Sequence, residues 1–116
     1  MNCIFCKMVK GEVSAEKFIE SDNFFAIRDV NPRTDGHSLI IPKTHYKEIS
    51  EFPDKFGKEL MSFIKEVSKS LIDSGFGDSF NLIVNNGKSA GQIVMHLHFH
   101  VLPRKEGDGV KVFEKP

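Results

Sequence analysis

The sequence predicts an α+β fold, with a five-stranded antiparallel sheet, one long helix and a short N-terminal helix. Five apolar segments of strand length are separated by turn residues, and one segment near the middle has helical periodicity instead. The connections between the segments are mostly short, which favours antiparallel pairing of neighbours. With 116 residues, of which 40% are hydrophobic, residues 1–116 fit one domain with an ordinary core.

Two segments have helical signals. Residues 3–10 can form a short N-terminal helix that ends at Gly11. Pro53 suits the first turn of the long helix and Gly75 suits its C-terminal cap. Between them lies an apolar stripe with spacings of three and four, formed by Phe56, Leu60, Ile64, Val67 and Leu71.

The remaining apolar segments predict strands. A Ser-Asp-Asn turn joins the first two, and Gly-containing loops surround the later ones. The predicted strands cover residues 17–20, 24–29, 37–42, 80–85 and 93–102.

Charge and composition restrict the class of partner. Sixteen basic residues balance sixteen acidic ones, so a nucleic-acid partner, which favours a basic excess, is not expected. The N-terminal residues lack the apolar run of a signal peptide, and no segment has the length of a membrane span. We therefore expect a cytoplasmic protein, in which two cysteines serve as thiols or metal ligands rather than as a disulfide.

The most informative segment contains three alternating histidines. In an extended chain His96, His98 and His100 share one face, while the apolar residues between them point into the core. Imidazoles on such an apolar strand need partners. These could be a metal, a phosphate or one another. Three collinear residues converge poorly on one zinc ion, so a phosphoryl group along the row fits better, with one imidazole attacking and another donating a hydrogen bond.

Three further patterns have two or more interpretations each. Cys3 and Cys6 form a C-x-x-C pair that could be a redox dithiol, half of a zinc site or a chance pair. His45 and one triad histidine could complete a Cys₂His₂ site. The loop 85–91 is either an ordinary turn or an anion-binding nest. Asp29 either stabilises a turn or accepts two sugar hydroxyls.

The run His96-Leu97-His98-Phe99-His100-Val101-Leu102 resembles the signature of the histidine triad (HIT) superfamily. Cys3 to Lys7, Gly36 to His45 and Ala90 to Gln92 also resemble small members of that family. The likeness covers nearly the whole chain, which implies a single HIT domain over residues 1–116. Small members are nucleotide hydrolases of the histidine-triad nucleotide-binding (Hint) and fragile histidine triad (Fhit) types.

The resemblance implies attack at the α-phosphorus of a purine nucleotide conjugate, such as a nucleoside phosphoramidate or a dinucleoside polyphosphate. His98 would be the nucleophile and form a nucleotidyl-histidine, and water would then release a nucleoside monophosphate. His100 would donate to a non-bridging oxygen, and His37 would lie behind the nucleophile.

The resemblance also implies the binding residues, a metal and an assembly. The phosphate would contact Asn85, Gly91, Gln92 and the backbone of Ile93. The nucleoside would contact Asp29, at the ribose, with Val30 next to it, and a base slot of Phe5, Met8, Val13 and Ile27. Structural Zn²⁺ would be bound by Cys3, Cys6, His45 and His96. Relatives pair, so a homodimer is expected.

The chain departs from the family pattern at Ile93. Small relatives commonly have Ser or Thr there, whose hydroxyl helps to handle the leaving group. The resemblance of residues 102–105 to the Fhit branch points towards polyphosphate substrates instead of phosphoramidates. The missing hydroxyl also favours an alternative function, a nucleotide-binding or scaffolding protein with vestigial catalysis.

Overall fold

A computed structural model describes residues 2–113 and contains one five-stranded antiparallel sheet. The strand order in the sheet is β1-β2-β3-β5-β4. This architecture, with one long and one short N-terminal helix, confirms the predicted fold class. The strands are β1 (Ile19–Glu20), β2 (Phe24–Arg28), β3 (Ser38–Pro42), β4 (Ser79–Val84) and β5 (Phe99–Arg104).

The long helix α2 (Gly57–Asp73) packs on one face of the sheet. It ends in a Schellman motif, in which the N–H of Phe76 donates to Leu71 O (3.2 Å) and Gly75, with φ of 89°, occupies the left-handed position. Gly75 therefore caps the helix as the sequence predicts. The core on this face consists of Phe24, Ala26, Ile40, Phe63, Ile64, Val67, Leu71, Leu97, Phe99 and Val101.

The start of the long helix differs from the prediction. Pro53 precedes a separate 3₁₀ turn (Asp54–Phe56), and α2 begins only at Gly57. Phe56 of the apolar stripe thus belongs to that turn. Two further 3₁₀ turns, Ile49–Glu51 and Lys88–Ala90, were not predicted, because three residues are too few to show a periodic pattern.

The short helix α1 (Ile4–Val9) covers part of the opposite face. Cys3 is its N-cap residue, and the Cys3 sulfur accepts a hydrogen bond from the N–H of Cys6. Phe5 points inward from this helix. The second core cluster therefore contains residues of β2 and β3 together with the N-terminus: Cys3, Phe5, Phe25, Ile27, Leu39 and Ile41.

The histidine segment corrects the predicted strand 93–102. Sheet pairing begins only at Phe99, because residues 94–96 form a bend and the N–H of Leu97 donates to Tyr46 O (2.7 Å) outside the sheet. The alternation of faces nevertheless extends beyond the strand. Leu97, Phe99 and Val101 all belong to the core beneath α2, and the histidines face the other way.

The chain has no helix, within residues 2–113, that is both long and apolar enough to cross a membrane.

Candidate active site

The side chain of His98 is held by one backbone contact. Its Nδ1 lies 2.7 Å from the carbonyl oxygen of His96, which can only accept, so Nδ1 carries the proton. Nε2 therefore presents a lone pair, and no group within residues 2–113 forms a hydrogen bond to it. The ring of Phe5 packs edge-on against the imidazole, with the centroids 5.3 Å apart. His98 is thus oriented as a nucleophile with a free nitrogen.

A chain of hydrogen bonds determines the tautomer of His100. The N–H of Arg33 donates to Nδ1 of His37 (3.1 Å), so the proton of a neutral His37 is on Nε2. Nε2 of His37 lies 2.9 Å from Nδ1 of His100 and donates to it. The proton of His100 must then be on Nε2. His98 therefore offers a lone pair, while the adjacent imidazole, with its centroid 5.0 Å away, offers a donor.

Burial keeps the imidazoles of His37 and His100 neutral. Burial is the main cause that lowers the pKa of His100 to about 4, and the neighbouring His98, His37 and Arg33 lower it further. Burial also lowers the pKa of His37, partly offset by the carboxylate of Asp29. Both groups are therefore uncharged at pH 7, as the tautomer assignment requires.

The same cluster has the spacing of a metal site, but its hydrogen bonds disfavour one. Single ligand atoms of Asp29, His37 and His100 all lie within 4.8 Å of one another, and Asp29 Oδ2 is 3.4 Å from His37 Nε2. A histidine that binds metal through Nε2 normally donates from Nδ1 to an acceptor. Here the Nδ1 of His37 faces the backbone N–H of Arg33 and must accept. The cluster is therefore better suited to a proton chain than to a metal.

A second cluster brings together Cys3, Cys6, His45 and His96. Nδ1 of His96 lies 3.3 Å from the Cys3 sulfur, 3.7 Å from the Cys6 sulfur and 3.0 Å from Nδ1 of His45. The Cys6 sulfur is 3.4 Å from the same nitrogen of His45. Zinc bonds of about 2.3 Å to sulfur and about 2.0–2.1 Å to nitrogen would place tetrahedral ligand atoms about 3.3–3.8 Å apart. The three sulfur–nitrogen distances match that spacing, and the distance of 3.0 Å between the two nitrogens is shorter.

The hydrogen bonding of His96 fits a metal ligand. Its Nε2 donates to the carbonyl of Pro42 (2.8 Å), so its Nδ1 lone pair faces the two sulfurs and His45. Burial lowers the pKa of His96 to about 4, so this nitrogen has no proton with which to satisfy its neighbours. Ligand atoms that face one another in this way require either protons between them, from the thiols or from His45, or a cation.

The structure places the expected nucleoside residues in two environments. Phe5 and Ile27 are buried, and Met8 packs against the same cluster beneath α1. Val13 is half-buried. Val30, in contrast, is 90% exposed. Asp29 accepts from the N–H of Asn31 (2.9 Å) through Oδ1, an Asx turn, and its other oxygen faces His37.

The loop before the histidines is braced by Gln92. Gln92 is buried, with Oε1 accepting from the N–H of Gly87 (2.7 Å) and Nε2 donating to the carbonyls of Lys47 (2.6 Å) and Val94 (3.0 Å). Its amide is therefore fully used, and its backbone N–H also donates within the loop, to the carbonyl of Gly87 (3.1 Å). Gly91 has φ of 95° and lies beside Asn85, whereas the side chain of Ile93 is 91% exposed.

Sequence reasoning missed Arg33 as a contributor to this site and missed the role of the Gln92 side chain. Arg33 fixes His37 through a backbone N–H, which no sequence pattern reveals. Gln92 was expected at the phosphate, but its side chain supports the loop instead. The residue type alone could have indicated this role, since a buried amide must find hydrogen-bond partners for both its oxygen and its nitrogen.

Comparison with known proteins identifies the family. The sequence profile of the HIT domain matches residues 10–107, which is most of the chain. The chain belongs to the HIT family.

The similar proteins include one HIT-like protein and two enzymes that are named for their activity. A HIT-like protein of Methanocaldococcus jannaschii is 48% identical over 110 residues, covering 92% of this chain and 82% of that protein. The adenylylsulfatase HINT3 of Arabidopsis thaliana is 44% identical, covering 92% of this chain but only 54% of the relative. The adenosine 5'-monophosphoramidase HNT1 of Saccharomyces cerevisiae is 39% identical, covering 90% of this chain and 63% of that enzyme. The chain thus spans less than two thirds of the length of each of the two named enzymes.

Solved HIT structures have the same fold. A HIT family protein from Bacillus subtilis superposes with a TM-score of 0.91 at 36% identity, covering 100% of this chain and 83% of that one. A zinc-bound histidine triad protein from Mycobacterium smegmatis gives a TM-score of 0.88 at 36% identity, covering 100% of this chain and 84% of its own.

Replacing Gln92 with leucine should destabilise this HIT domain by about 1–3 kcal/mol, because the buried N–H of Gly87 and two carbonyls lose their partner. Thermal unfolding measures the effect. Ser89→Ala, at an exposed position in the same loop, is the matched control and should unfold like the wild type. Equal stability of Gln92→Leu and the control would contradict the bracing role.

Proposed function

We propose that this HIT-family protein is a hydrolase that attacks the α-phosphorus of purine nucleotide conjugates and releases the nucleoside monophosphate. The observation that carries the proposal is the pairing of opposite tautomers, with a lone pair on Nε2 of His98 beside a donor on Nε2 of His100. The names of HINT3 and HNT1 supply the substrate class, since both act on adenylyl compounds.

The first step transfers the nucleotidyl group to His98. Nε2 of His98 forms a bond to phosphorus while the bond to the leaving group breaks, and the leaving group takes that electron pair. The proton on Nδ1 remains bonded to the carbonyl of His96, which stabilises the positive charge that develops on the ring. In the second step water attacks phosphorus, the P–N bond breaks with its electron pair returning to Nε2, and the attacking water loses a proton to the solvent.

His100 stabilises charge at phosphorus. Its Nε2–H donates to a non-bridging oxygen, and the interaction strengthens as that oxygen gains charge. Loss of one such donor typically costs about 10²–10³-fold in rate. His37 positions this donor, because its Nε2–H donates to Nδ1 of His100 and so keeps the proton of His100 on Nε2.

The nucleoside binds beside this pair. Asp29 accepts the ribose hydroxyls, next to Val30, and the base packs between the apolar residues Phe5, Met8, Val13 and Ile27. The phosphate lies against the loop, with contacts from Asn85, Gly91 and the backbone N–H of Ile93, while Gln92 holds the loop in shape. Val30 is the most exposed of the nucleoside residues, and a base that covered it would remove apolar surface from water.

Zinc has a structural role in this proposal. The cluster of Cys3, Cys6, His45 and His96 binds it and connects α1 to the histidine segment. The zinc-bound relative from Mycobacterium smegmatis supports the assignment of the metal. No step of the hydrolysis passes through the ion.

The assembly in this proposal is a cytoplasmic homodimer. Strand β4 lies at one edge of the sheet, where it exposes Phe80 and Leu82. An apolar open edge of this kind favours pairing with a second copy of the chain.

Incubation of the purified protein with adenosine 5'-phosphoramidate and with adenosine 5'-phosphosulfate, followed by chromatography, tests the function. The proposal expects release of AMP from at least one of them. A protein that binds AMP, but releases none from either compound and forms no nucleotidyl-histidine, would instead be the binding protein that Ile93 alone suggests.

A further inference from the structure

Asp29 and His37 are held side by side by the pairing of two strands. Asp29 directly follows β2, and His37 directly precedes β3. The last residue pair of those strands is Arg28 with Ser38. The N–H of Asp29 donates to the carbonyl of His37 (2.9 Å), so the pairing continues one residue beyond the strands. The carboxylate of Asp29 therefore has a fixed place beside the imidazole of His37, with Oδ2 3.4 Å from Nε2.

The ring proton of His37 faces two acceptors. Nδ1 of His37 accepts from the N–H of Arg33 (3.1 Å), so the proton is on Nε2. Nε2 lies 2.9 Å from Nδ1 of His100 and 3.4 Å from Oδ2 of Asp29. The nearer acceptor is neutral and the farther one is charged, and a hydrogen bond to a charged group is roughly twice as strong as a neutral one. The N–H is therefore shared, and the share that Asp29 takes weakens the bond that keeps the proton of His100 on Nε2.

A ligand can reach the carboxylate of Asp29 but not the imidazole of His37. The side chain of Asp29 is 18% exposed and that of His37 only 3%. Oδ1 of Asp29 accepts from the N–H of Asn31 (2.9 Å), and Oδ2 faces His37. A carboxylate offers about four acceptor positions, so two hydroxyl groups can bind while both of these contacts persist. Each hydroxyl that donates to the carboxylate lowers its attraction for the N–H of His37.

We infer that Asp29 is a positioning residue, through which the ribose hydroxyls of the substrate strengthen the hydrogen-bond donor on His100. This inference rests on the proposed function, which puts the ribose at Asp29. In the free protein Asp29 and His100 share the N–H of His37. When the ribose hydroxyls donate to Asp29, His37 donates to His100 alone. The proton of His100 then stays on Nε2, where it meets the non-bridging oxygen.

The ribose therefore contributes to the rate as well as to binding. A remote contact that improves stabilisation of the transition state raises kcat, whereas a contact that is equal in the bound substrate and the transition state lowers only KM. The protein should accordingly distinguish nucleotides with a 2',3'-diol from those without it in the chemical step. A carboxylate that only binds the ribose would distinguish them by affinity alone.

Single-turnover rates at saturation test the coupling. The substrate is adenosine 5'-phosphoramidate or 5'-phosphosulfate, whichever the wild type hydrolyses, together with its 2',3'-dideoxy analogue. Loss of a whole donor costs about 10²–10³-fold, so the weakened donor should slow the wild type on the dideoxy analogue by about 10-fold. Equal saturated rates of the wild type with the two compounds would overturn the inference.

Asp29→Asn should partly restore the rate on the dideoxy analogue. The amide oxygen can keep the bond from Asn31, and the amide nitrogen, which cannot accept, then faces His37. The rate on the dideoxy analogue should rise about 3- to 10-fold above that of the wild type, because His37 donates to His100 without competition. Asp35→Asn makes the same change at an exposed position of the same loop and should match the wild type. A dideoxy rate of Asp29→Asn at or below that of the wild type would contradict the coupling.

NMR of protein with ¹⁵N-labelled histidine observes the proton of His100 directly, since the two ring nitrogens differ in chemical shift according to which one is protonated. Without nucleotide, Asp29→Asn should have a larger fraction of His100 with the proton on Nε2 than the wild type or Asp35→Asn. At saturation of the wild type, AMP should raise this fraction more than 2',3'-dideoxyadenosine 5'-monophosphate does, although both carry a phosphate. Equal fractions in both comparisons would overturn the inference.

Failure of the proposed function gives a different result. If the wild type hydrolyses neither the phosphoramidate nor the phosphosulfate, that function fails, but the NMR comparison needs only bound AMP and still tests the role of Asp29. If AMP is hydrolytically released and yet His100 responds equally to both nucleotides, the inference alone is wrong. If AMP does not bind, no ribose reaches Asp29 and both proposals fall.

Discussion

Replacement of His98 with asparagine should lower the hydrolysis of adenylyl substrates by at least about 10³-fold, because asparagine has no lone-pair nitrogen to attack phosphorus. Steady-state release of AMP measures the loss. Binding of AMP should change only a few-fold, since Asp29 and the base slot are unaffected. A fall in kcat with little change in affinity is the result that assigns the nucleophile.

A matched substitution at the neighbouring histidine separates attack from charge stabilisation. His100→Gln retains a side chain that donates a hydrogen bond and should lose less, about 10²-fold. Both variants leave Cys3, Cys6 and His45 in place, so their zinc content should equal that of the wild type. Turnover by His98→Asn at the rate of the wild type would show that a different group attacks phosphorus.

Replacement of Cys6 with serine should remove zinc and lower the melting temperature by at least about 10 °C, because a structural metal contributes several kcal/mol that the unfolded chain cannot recover. Cys6 joins α1 to His45 and His96, which lie far away in the sequence. Metal analysis and calorimetry on the same samples measure both effects. The wild type should contain one equivalent of zinc per chain.

His100→Ala is the control for the location of the metal. It removes a member of the other cluster and should retain zinc. Chelation of the wild type should lower its stability first, with activity failing only as the structure does. If His100→Ala loses zinc, or if a chelator abolishes activity while the fold persists, the catalytic histidines hold the metal in place of the cysteine cluster and the protein is a metal-dependent hydrolase.

The sequence predicts which face of a strand a side chain occupies better than it predicts where the strand begins. The alternation around His98 correctly separates the imidazoles from Leu97, Phe99 and Val101, because side-chain direction follows locally from an extended backbone. The start of β5 at Phe99 depends on where β3 offers partners and on a bond from Leu97 to Tyr46, and these are tertiary contacts. A pattern of residue types does not contain that information.

In the candidate site, too, the sequence predicts which residues take part but not the contacts that depend on tertiary structure. The cluster of Cys3, Cys6, His45 and His96 assembles from residues that the sequence singled out, although Cys3 and His96 are 93 positions apart. The roles of Arg33 and Gln92, in contrast, depend on one backbone N–H and on the direction of one amide. The contribution of Val30 and Ile93 to nucleotide binding stays a prediction, since both side chains lie in solvent.

The most direct test is to quench the reaction within milliseconds of mixing and to analyse the peptides by mass spectrometry. The orientation of His98 by the carbonyl of His96 predicts a covalent adenylyl group on His98, labile to acid, which forms and decays at rates that account for turnover. AMP released at the normal rate without any such adduct, or an adduct on another residue, would contradict the mechanism.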